Sequence, residues 1–155
     1  MNYPTGEYYC KLDVKGRLLL PSGFKEQLGE EVLSEGFVLR PGLFDKCLEL
    51  YGMRDWRIMQ DRLAKLNPFK SESLMLIRRF NAGARMVKVD ATGRLQIPKD
   101  LIEKGGLVKE VVMTALTDRM QIWDKDLMAM EDAKMSDEEL AAMLSEKLGN
   151  IDFIG

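Results

Sequence analysis

The sequence contains no histidine and only two cysteines. Without histidine, the Ser/His and Cys/His arrangements of nucleophilic catalysis cannot form, and the commonest zinc ligand is missing. No glycine-rich loop of the phosphate-binding kind is recognisable either. The sequence therefore predicts a protein that is not an enzyme, that binds no metal or other cofactor, and that has no small-molecule substrate.

Long apolar runs are also missing, although 46% of the residues are apolar. A membrane-spanning helix needs about 18 or more consecutive apolar residues. The first ten residues, "MNYPTGEYYC", lack the basic start and the apolar stretch of a signal peptide. Cys10 and Cys47 lie in apolar stretches that predict strands, which indicates buried free thiols. We therefore expect a cytoplasmic protein that does not bind membranes.

Charge is distributed unevenly along the chain, although the net charge is only −2. Between Arg62 and Lys99 there are nine basic and two acidic residues, whereas the last 25 residues contain two basic and seven acidic ones. Such asymmetry is typical of proteins with a polyanionic partner. A solvated helix face would explain the same counts equally well.

One sequence pattern occurs twice. "LDVKGRLLLP" at positions 12–21 resembles "VDATGRLQIP" at positions 89–98, and seven of sixteen residues are identical when 11–26 is aligned with 88–103. Farther along each half, "LELY" at 48–51 parallels "MQIW" at 120–123. The sequence therefore predicts two units of the same kind, related as a pseudo-twofold pair.

Apolar and polar residues alternate on both sides of "VKG" and "ATG", which predicts two strands joined by a tight turn. A three-residue hairpin turn usually ends in a left-handed residue, and glycine adopts this conformation without a steric penalty. Gly16 and Gly93 are therefore the predicted turn glycines. An outward-facing pair would flank each turn: Asp13 with Arg17, and Asp90 with Arg94.

Each unit continues with a short helix and two more strands. Pro21 and Pro98 end the second strand of each unit and open the helices "PSGFKEQLG" and "PKDLIEKGG", each of which ends in glycine. Four short strands and one helix cannot bury a core of their own, so the two units should interlock. The predicted fold class is α+β with a mainly β core.

The remaining segments have helical periodicity. Apolar stripes predict two helices between the units, and Ser136 with Glu139 forms a capping-box pattern at the start of a C-terminal helix. The predicted organisation has four parts: a first repeat at 6–53, a helical connector at 54–83, a second repeat at 84–127 and a helical tail at 128–155.

The chain resembles the MraZ family of bacterial transcription regulators, which pair two domains of the AbrB/SpoVT swapped-hairpin type. The matching segments are "GEYYCKLDVKGRLLLPSGFKEQLGE", "CLELYGMRDW", "RRFNAGA", "VKVDATGRLQIP" and "MQIWDKD". The resemblance implies two interlocked swapped-hairpin repeats and a nucleoid-associated protein that binds double-stranded DNA. It also implies a ring-like homo-oligomer, an octamer or larger, bound to short direct repeats upstream of the division and cell-wall gene cluster.

The resemblance further implies that the repeated Asp-x-x-x-Arg pattern contacts DNA. Arg17 and Arg94 are then the DNA-binding residues, because a guanidinium can bind guanine or phosphate with two hydrogen bonds. The alternative is an ordinary surface ion pair with Asp13 or Asp90. Since phosphate repels carboxylates, these two aspartates are predicted to orient the arginines or to bind the N–H groups of the turns.

Three lysines complete the predicted DNA-binding set. Lys15, at the tip of the first turn, is a candidate contact to the DNA backbone, and its replacement by Thr92 in the second turn predicts that the two halves are not equivalent on DNA. Lys11 and Lys88 occupy matching outward positions. For these two, attraction to phosphate and simple solubility both remain open.

A second function is compatible with the same pattern. Relatives of the swapped-hairpin fold serve as antitoxins whose acidic tails wrap a toxin, so the chain could be an oligomeric protein-interaction module of the AbrB antitoxin type. The tail from Glu131 is acidic, but it also carries the predicted capped amphipathic helix. A capped amphipathic helix indicates that the tail packs on this protein more than that it wraps a toxin.

Overall fold

The computed structural model describes residues 4–149, so positions 150–155 of the predicted tail lie outside the described residues. The chain divides into two compact units, one up to Lys125 and one from Asp126 onward. None of the helices in the described part has the length and hydropathy needed to cross a membrane.

The elements, in chain order, are β1 (Glu7–Lys11), β2 (Arg17–Leu19), α1 (Ser22–Glu35), β3 (Phe37–Pro41), β4 (Leu48–Gly52), α2 (Met53–Leu63), α3 (Ser71–Asn81), β5 (Arg85–Val87), β6 (Arg94–Gln96), α4 (Lys99–Gly105), β7 (Glu110–Ala115), β8 (Met120–Asp124), α5 (Lys125–Asp132) and α6 (Asp137–Leu148).

Two antiparallel sheets form the centre of the first unit. The larger has the strand order β1-β7-β8-β4-β3-β5, and the smaller consists of β2 and β6. Strands from the two halves of the sequence pair with each other, because β1 pairs with β7, β5 with β3 and β8 with β4. The predicted α+β class with a mainly β core is confirmed.

The two strands beside each turn stay paired over a shorter length than the strands of a simple hairpin. Only one bridge joins them after the turn, Leu12 to Leu18 in the first half and Val89 to Leu95 in the second. Beyond it, β1 joins the larger sheet and β2 pairs with β6. This exchange places Leu18 opposite Leu95 at 0% exposure, whereas a hairpin paired only with itself would leave both at a sheet edge.

The predicted alternation of the strands is confirmed by burial. Leu18 and Leu20 are buried, whereas Leu19 between them is exposed. The second half repeats this pattern with Leu95 and Ile97 buried. These side chains pack in one core with side chains from one face of the larger sheet. The two-stranded sheet therefore covers that face, which we call the lid side.

The helix after the first turn extends farther than predicted. The expected stop is present at Gly29, which has φ 82° and ψ 160°, but the chain resumes a helical path as far as Glu35. Val32 and Leu33 in this extra turn pack against the core, which explains why the helix continues. The equivalent helix α4 ends as predicted, with Gly106 in the left-handed conformation at φ 66°.

The predicted connector helices are α2 and α3, which cover the other face of the larger sheet. Trp56 on α2 stacks on Phe80 of α3, with 5.9 Å between the ring centroids, and contacts Tyr51 of β4 edge-on, with 5.3 Å between the centroids. Beneath them, the buried Arg40 forms an ion pair with Glu49 at 2.9 Å. The lid side and the connector side of the sheet are therefore chemically distinct.

The second unit contains the capped helix that the sequence predicts. Ser136 precedes α6, and its hydroxyl accepts a hydrogen bond from the backbone N–H of Glu139 at 3.1 Å. The predicted N-cap is confirmed, and the Ser136 hydroxyl also donates to the Glu139 carboxylate at 3.1 Å. Leu140, Met143 and Leu148 are exposed on this helix.

Candidate nucleic-acid interface

The sheet formed by β2 and β6 presents one face outward. Its register pairs Arg17 with Gln96, Leu18 with Leu95 and Leu19 with Arg94. Because side chains alternate along a strand, the central leucines point into the core and the flanking positions share the opposite side. We call this outward side the ribbon face; it consists of Arg17, Leu19, Arg94 and Gln96.

Each end of the ribbon is closed by the turn of one half. The backbone N–H of Leu20 donates to the carbonyl of Gly93 at 3.0 Å, and that of Ile97 donates to the carbonyl of Gly16 at 2.9 Å. These reciprocal bonds join each strand to the turn of the other half. The turns therefore lie at opposite ends of the ribbon, related by a pseudo-twofold axis near the Leu18–Leu95 pair.

In the first turn, Asp13 binds both backbone and side chain. Its Oδ1 accepts from the N–H groups of Lys15 and Arg17, each at 2.9 Å, and its Oδ2 accepts from Nε of Arg17 at 2.9 Å. The backbone N–H of Arg17, aided by its guanidinium, lowers the pKa of Asp13 below 3.8. Gly16 has φ 79°, the left-handed conformation. The guanidinium of Arg17 is thus held before any ligand binds.

The second turn keeps the backbone pattern but lacks the ion pair. Oδ1 of Asp90 accepts from the N–H of Arg94 at 2.9 Å, and from the N–H and hydroxyl of Thr92 at 2.9 and 2.8 Å. These bonds, led by the Arg94 N–H, lower the pKa of Asp90. Gly93 has φ 81°. Within residues 4–149, the Arg94 guanidinium forms no ion pair, and the Thr92 hydroxyl shares Oδ1 of Asp90 with the two backbone N–H groups.

The turn glycines rest on helices of the opposite half. A Cβ added at Gly16 would lie 3.0 Å from Cδ1 of Ile102 on α4, and one added at Gly93 would lie 2.7 Å from Nζ of Lys25 on α1. Lys25 and Ile102 are equivalent in the repeat. Lys25 thus brings an ammonium to the second turn, which the sequence analysis missed. The alignment of the two halves contained no signal for it, because Lys25 aligns with the apolar Ile102.

The three predicted lysines occupy different surroundings. Lys15 is exposed at the first turn, and its carbonyl accepts a hydrogen bond from Nε2 of Gln96 at 2.8 Å. Lys11, on β1, lines a groove together with Leu19 and Lys25. Lys88 lies beside Gly36 instead, with its Cγ 3.2 Å from a Cβ added there. The repeat-equivalent lysines Lys11 and Lys88 therefore do not have equivalent surroundings.

Acidic and thiol groups in the described part of the chain form no cluster of three or more that could hold a metal ion. Both cysteines are free and buried. Burial raises the pKa of Cys10 to about 11, and burial together with nearby carboxylates raises that of Cys47 to about 12. Both thiols are therefore protonated at neutral pH and are poor nucleophiles.

A known protein family matches both halves of the chain. The family model described as "MraZ protein, putative antitoxin-like" matches the chain twice, at residues 4–79 and 80–148. The chain belongs to the MraZ family. Each match to the MraZ model contains one Asp-x-x-Gly-Arg turn, so the two matches coincide with the internal repeat.

Individual MraZ relatives are similar over almost their whole length. A protein of Flavobacterium psychrophilum is 44% identical over 97% of this chain and 95% of its own, and one of Christiangramia forsetii is 43% identical over 97% and 96%. A protein of Alkaliphilus metalliredigens is 36% identical over 91% and 96%. All three are named "Transcriptional regulator MraZ".

Proposed function

We propose that the protein is a sequence-specific DNA-binding transcriptional regulator, as the names of its relatives suggest, and that the ribbon face contacts DNA. The observation that carries the proposal is the presence of two arginines, Arg17 and Arg94, on one outward face of a two-stranded sheet. The major groove of B-DNA, about 12 Å wide, admits a two-stranded ribbon. Arginine is the residue best suited to bind guanine edges and phosphate with paired hydrogen bonds.

The spacing of the charges supports this proposal. Arg17 and Arg94 are diagonal neighbours in the ladder, with an expected separation of about 7–8 Å. Base pairs are stacked about 3.4 Å apart, so the two arginines would reach bases about two steps from each other. Lys15 at the first turn and Lys25 at the second supply one ammonium at each end of the ribbon, where phosphates would flank the groove.

The finer architecture belongs to the same proposal. We assign the fold to the AbrB/SpoVT swapped-hairpin type, with repeats at 6–53 and 84–127, a connector at 54–83 and a tail at 128–155. The pairing of strands between the two halves supports an interlocked arrangement. Asp13 is assigned to orient Arg17, and Asp90 to shape the second turn. Lys11 is a candidate phosphate contact, whereas the position of Lys88 favours a solubilising role.

A single ribbon supplies only two arginines, which is little for tight and specific binding. We propose that the protein acts as a ring-like homo-oligomer, an octamer or larger, that binds short direct repeats upstream of the division and cell-wall gene cluster. Several ribbons on one ring then share a high effective concentration, so affinity rises without a strong single contact. The protein would act in the cytoplasm, at the nucleoid, without enzymatic activity or cofactor.

The decisive experiment is a gel shift across a salt series, on DNA just upstream of the protein's own gene. We expect Arg94→Ala to weaken binding and to make the slope of log K against log salt shallower by about 0.9 for each engaged subunit. Arg85→Ala is the matched control, because Arg85 forms an ion pair with Asp100 at 2.9 Å and lies outside the ribbon face. Unchanged affinity and slope in Arg94→Ala would contradict the assignment.

The proposed oligomer is tested with the same protein preparation. Light scattering should give a particle several times the mass of one chain under the conditions where DNA is bound. A monomer that still binds repeat DNA at nanomolar concentration would contradict the multivalent mechanism.

An oligomeric protein-interaction module of the antitoxin type is the second candidate, because Leu140, Met143 and Leu148 expose an apolar stripe on an acidic helix. Truncation after Met130 separates the two roles. Loss of the oligomer assigns the stripe to subunit packing. An intact oligomer that still binds DNA would favour a separate protein partner.

A further inference from the structure

The ribbon face contains a single apolar side chain. Leu19 is 55% exposed, although its strand neighbours Leu18 and Leu20 are buried. Directly opposite lies Arg94, whose guanidinium forms no ion pair with any residue in 4–149. The free arginine of the ribbon therefore has an exposed leucine beside it.

The repeat shows that this leucine is not required by the fold. The equivalent position in the second half is Gln96, whose Nε2 donates to the carbonyl of Lys15 at 2.8 Å and so links the ribbon to the first turn. Leu19 cannot form such a link. Instead it lines an open groove with Tyr9, Lys11 and Lys25. The two ends of the ribbon face thus differ in chemistry, one amide and one hydrocarbon.

A hydrocarbon on a DNA-reading face has one natural target. In the major groove, the C5-methyl group of thymine is the apolar feature that distinguishes one base pair from the others, and apolar side chains contact it. We propose that Leu19 contacts a thymine methyl group and thereby determines which base the ribbon accepts beside the one contacted by Arg94. This inference rests on the proposed DNA-binding function.

The register also limits where this thymine lies. Residues directly opposite each other in an antiparallel pair have Cβ atoms about 4.5–5.5 Å apart. With base pairs about 3.4 Å apart, the thymine should lie within about two steps of the base that Arg94 contacts. Loss of base preference in Arg94→Ala identifies that base, so the distance between the two positions can be measured.

The experiment uses the full-length protein and a duplex that it selects from a randomised pool. Each thymine of the selected site is replaced singly by deoxyuridine, which lacks only the methyl group. We expect one replacement to weaken wild-type binding about fourfold, the effect of losing one buried methyl contact. Leu19→Ala should bind the thymine and uracil duplexes equally, whereas Leu19→Met, which stays apolar, should still discriminate.

Phe69→Ala is the matched control, because Phe69 is also apolar, is 95% exposed and lies between α2 and α3. This variant should discriminate like the wild type. The inference is overturned if the selected site has no required thymine, if no uracil replacement weakens binding, or if Leu19→Ala still discriminates; the proposed function stands in all three cases. A wild-type protein that selects no DNA overturns both.

Discussion

The two turns at the ends of the ribbon share the Asp-x-x-Gly-Arg sequence but have different hydrogen-bond networks. In the first, Asp13 binds the Arg17 side chain; in the second, Asp90 binds the hydroxyl of Thr92 and leaves the Arg94 side chain unpaired within the described residues. Both aspartates bind the backbone N–H groups of their turns in the same way. The shared motif therefore determines the backbone of the turn, whereas the partner of the arginine side chain differs between the two turns.

This difference has a consequence for binding. A long side chain that is ordered on binding loses conformational entropy, about 0.5–1.5 kcal/mol for a flexible residue. Arg17 has lost part of this entropy already through its ion pair with Asp13, but it must exchange that partner for DNA. Arg94 is free to adapt. We therefore expect the first end of the ribbon to be the more rigid and the second the more adaptable.

The largest expected effect comes from the centre of the ribbon, where the halves are most alike. Leu18→Ala and Leu95→Ala should each lower the free energy of unfolding by about 2–5 kcal/mol, because each removes a fully buried leucine from the shared core. Urea denaturation at a fixed protein concentration measures this. Leu19→Ala, on the exposed side of the same strand, should change stability by less than about 0.5 kcal/mol. A small effect at either buried leucine would argue against a shared core.

A smaller effect should separate the two turn glycines. Gly16→Ala and Gly93→Ala both force a Cβ into the left-handed region, which costs about 1–2 kcal/mol. At Gly16 the new Cβ would also lie 3.2 Å from the carbonyl oxygen of Ile97, which is backbone and cannot move away. At Gly93 its nearest neighbour is the mobile end of Lys25.

Thermal unfolding of the two variants should therefore give the lower Tm for Gly16→Ala. If Gly16→Ala lowers the Tm no more than Gly93→Ala does, the close contact at the first turn is not rigid.

Much of this arrangement could be predicted from the sequence. Alternation and the repeat indicate the strands, the turns and their glycines because these are set by local backbone and burial preferences. That the halves interlock follows from the small size of each unit, but which strands pair is harder to foresee, since Leu12 to Leu18 reads like an ordinary hairpin and the partner of Leu18 lies 77 positions away.

Side-chain networks within the turns were the least predictable part. Either arginine could reach its aspartate by sequence spacing, yet within the described residues only Arg17 forms the ion pair. The turns also differ in the residue between, since Thr92 adds a hydroxyl bond to Oδ1 of Asp90 and Lys15 has no hydroxyl. The approach of Lys25 to the second turn likewise depends on the packing of α1 against the other half, which no local pattern encodes.

The smallest expected effect concerns the titration of the two aspartates. Both have a pKa below the ordinary value of 3.8, so their stabilising bonds are complete above pH 3.8 and are lost as the pH falls through the lower folded-state pKa.

The Arg17 side chain contributes a hydrogen bond to Asp13, whereas Arg94 acts on Asp90 mainly through its backbone N–H, which alanine retains. In a carbon-detected NMR titration, Arg17→Ala should therefore raise the pKa of Asp13 more than Arg94→Ala raises that of Asp90. Thr92→Val should raise the pKa of Asp90, because it removes the hydroxyl. Equal shifts in the two arginine variants would mean that Arg94 also pairs with its aspartate in solution, and the turns would then be alike.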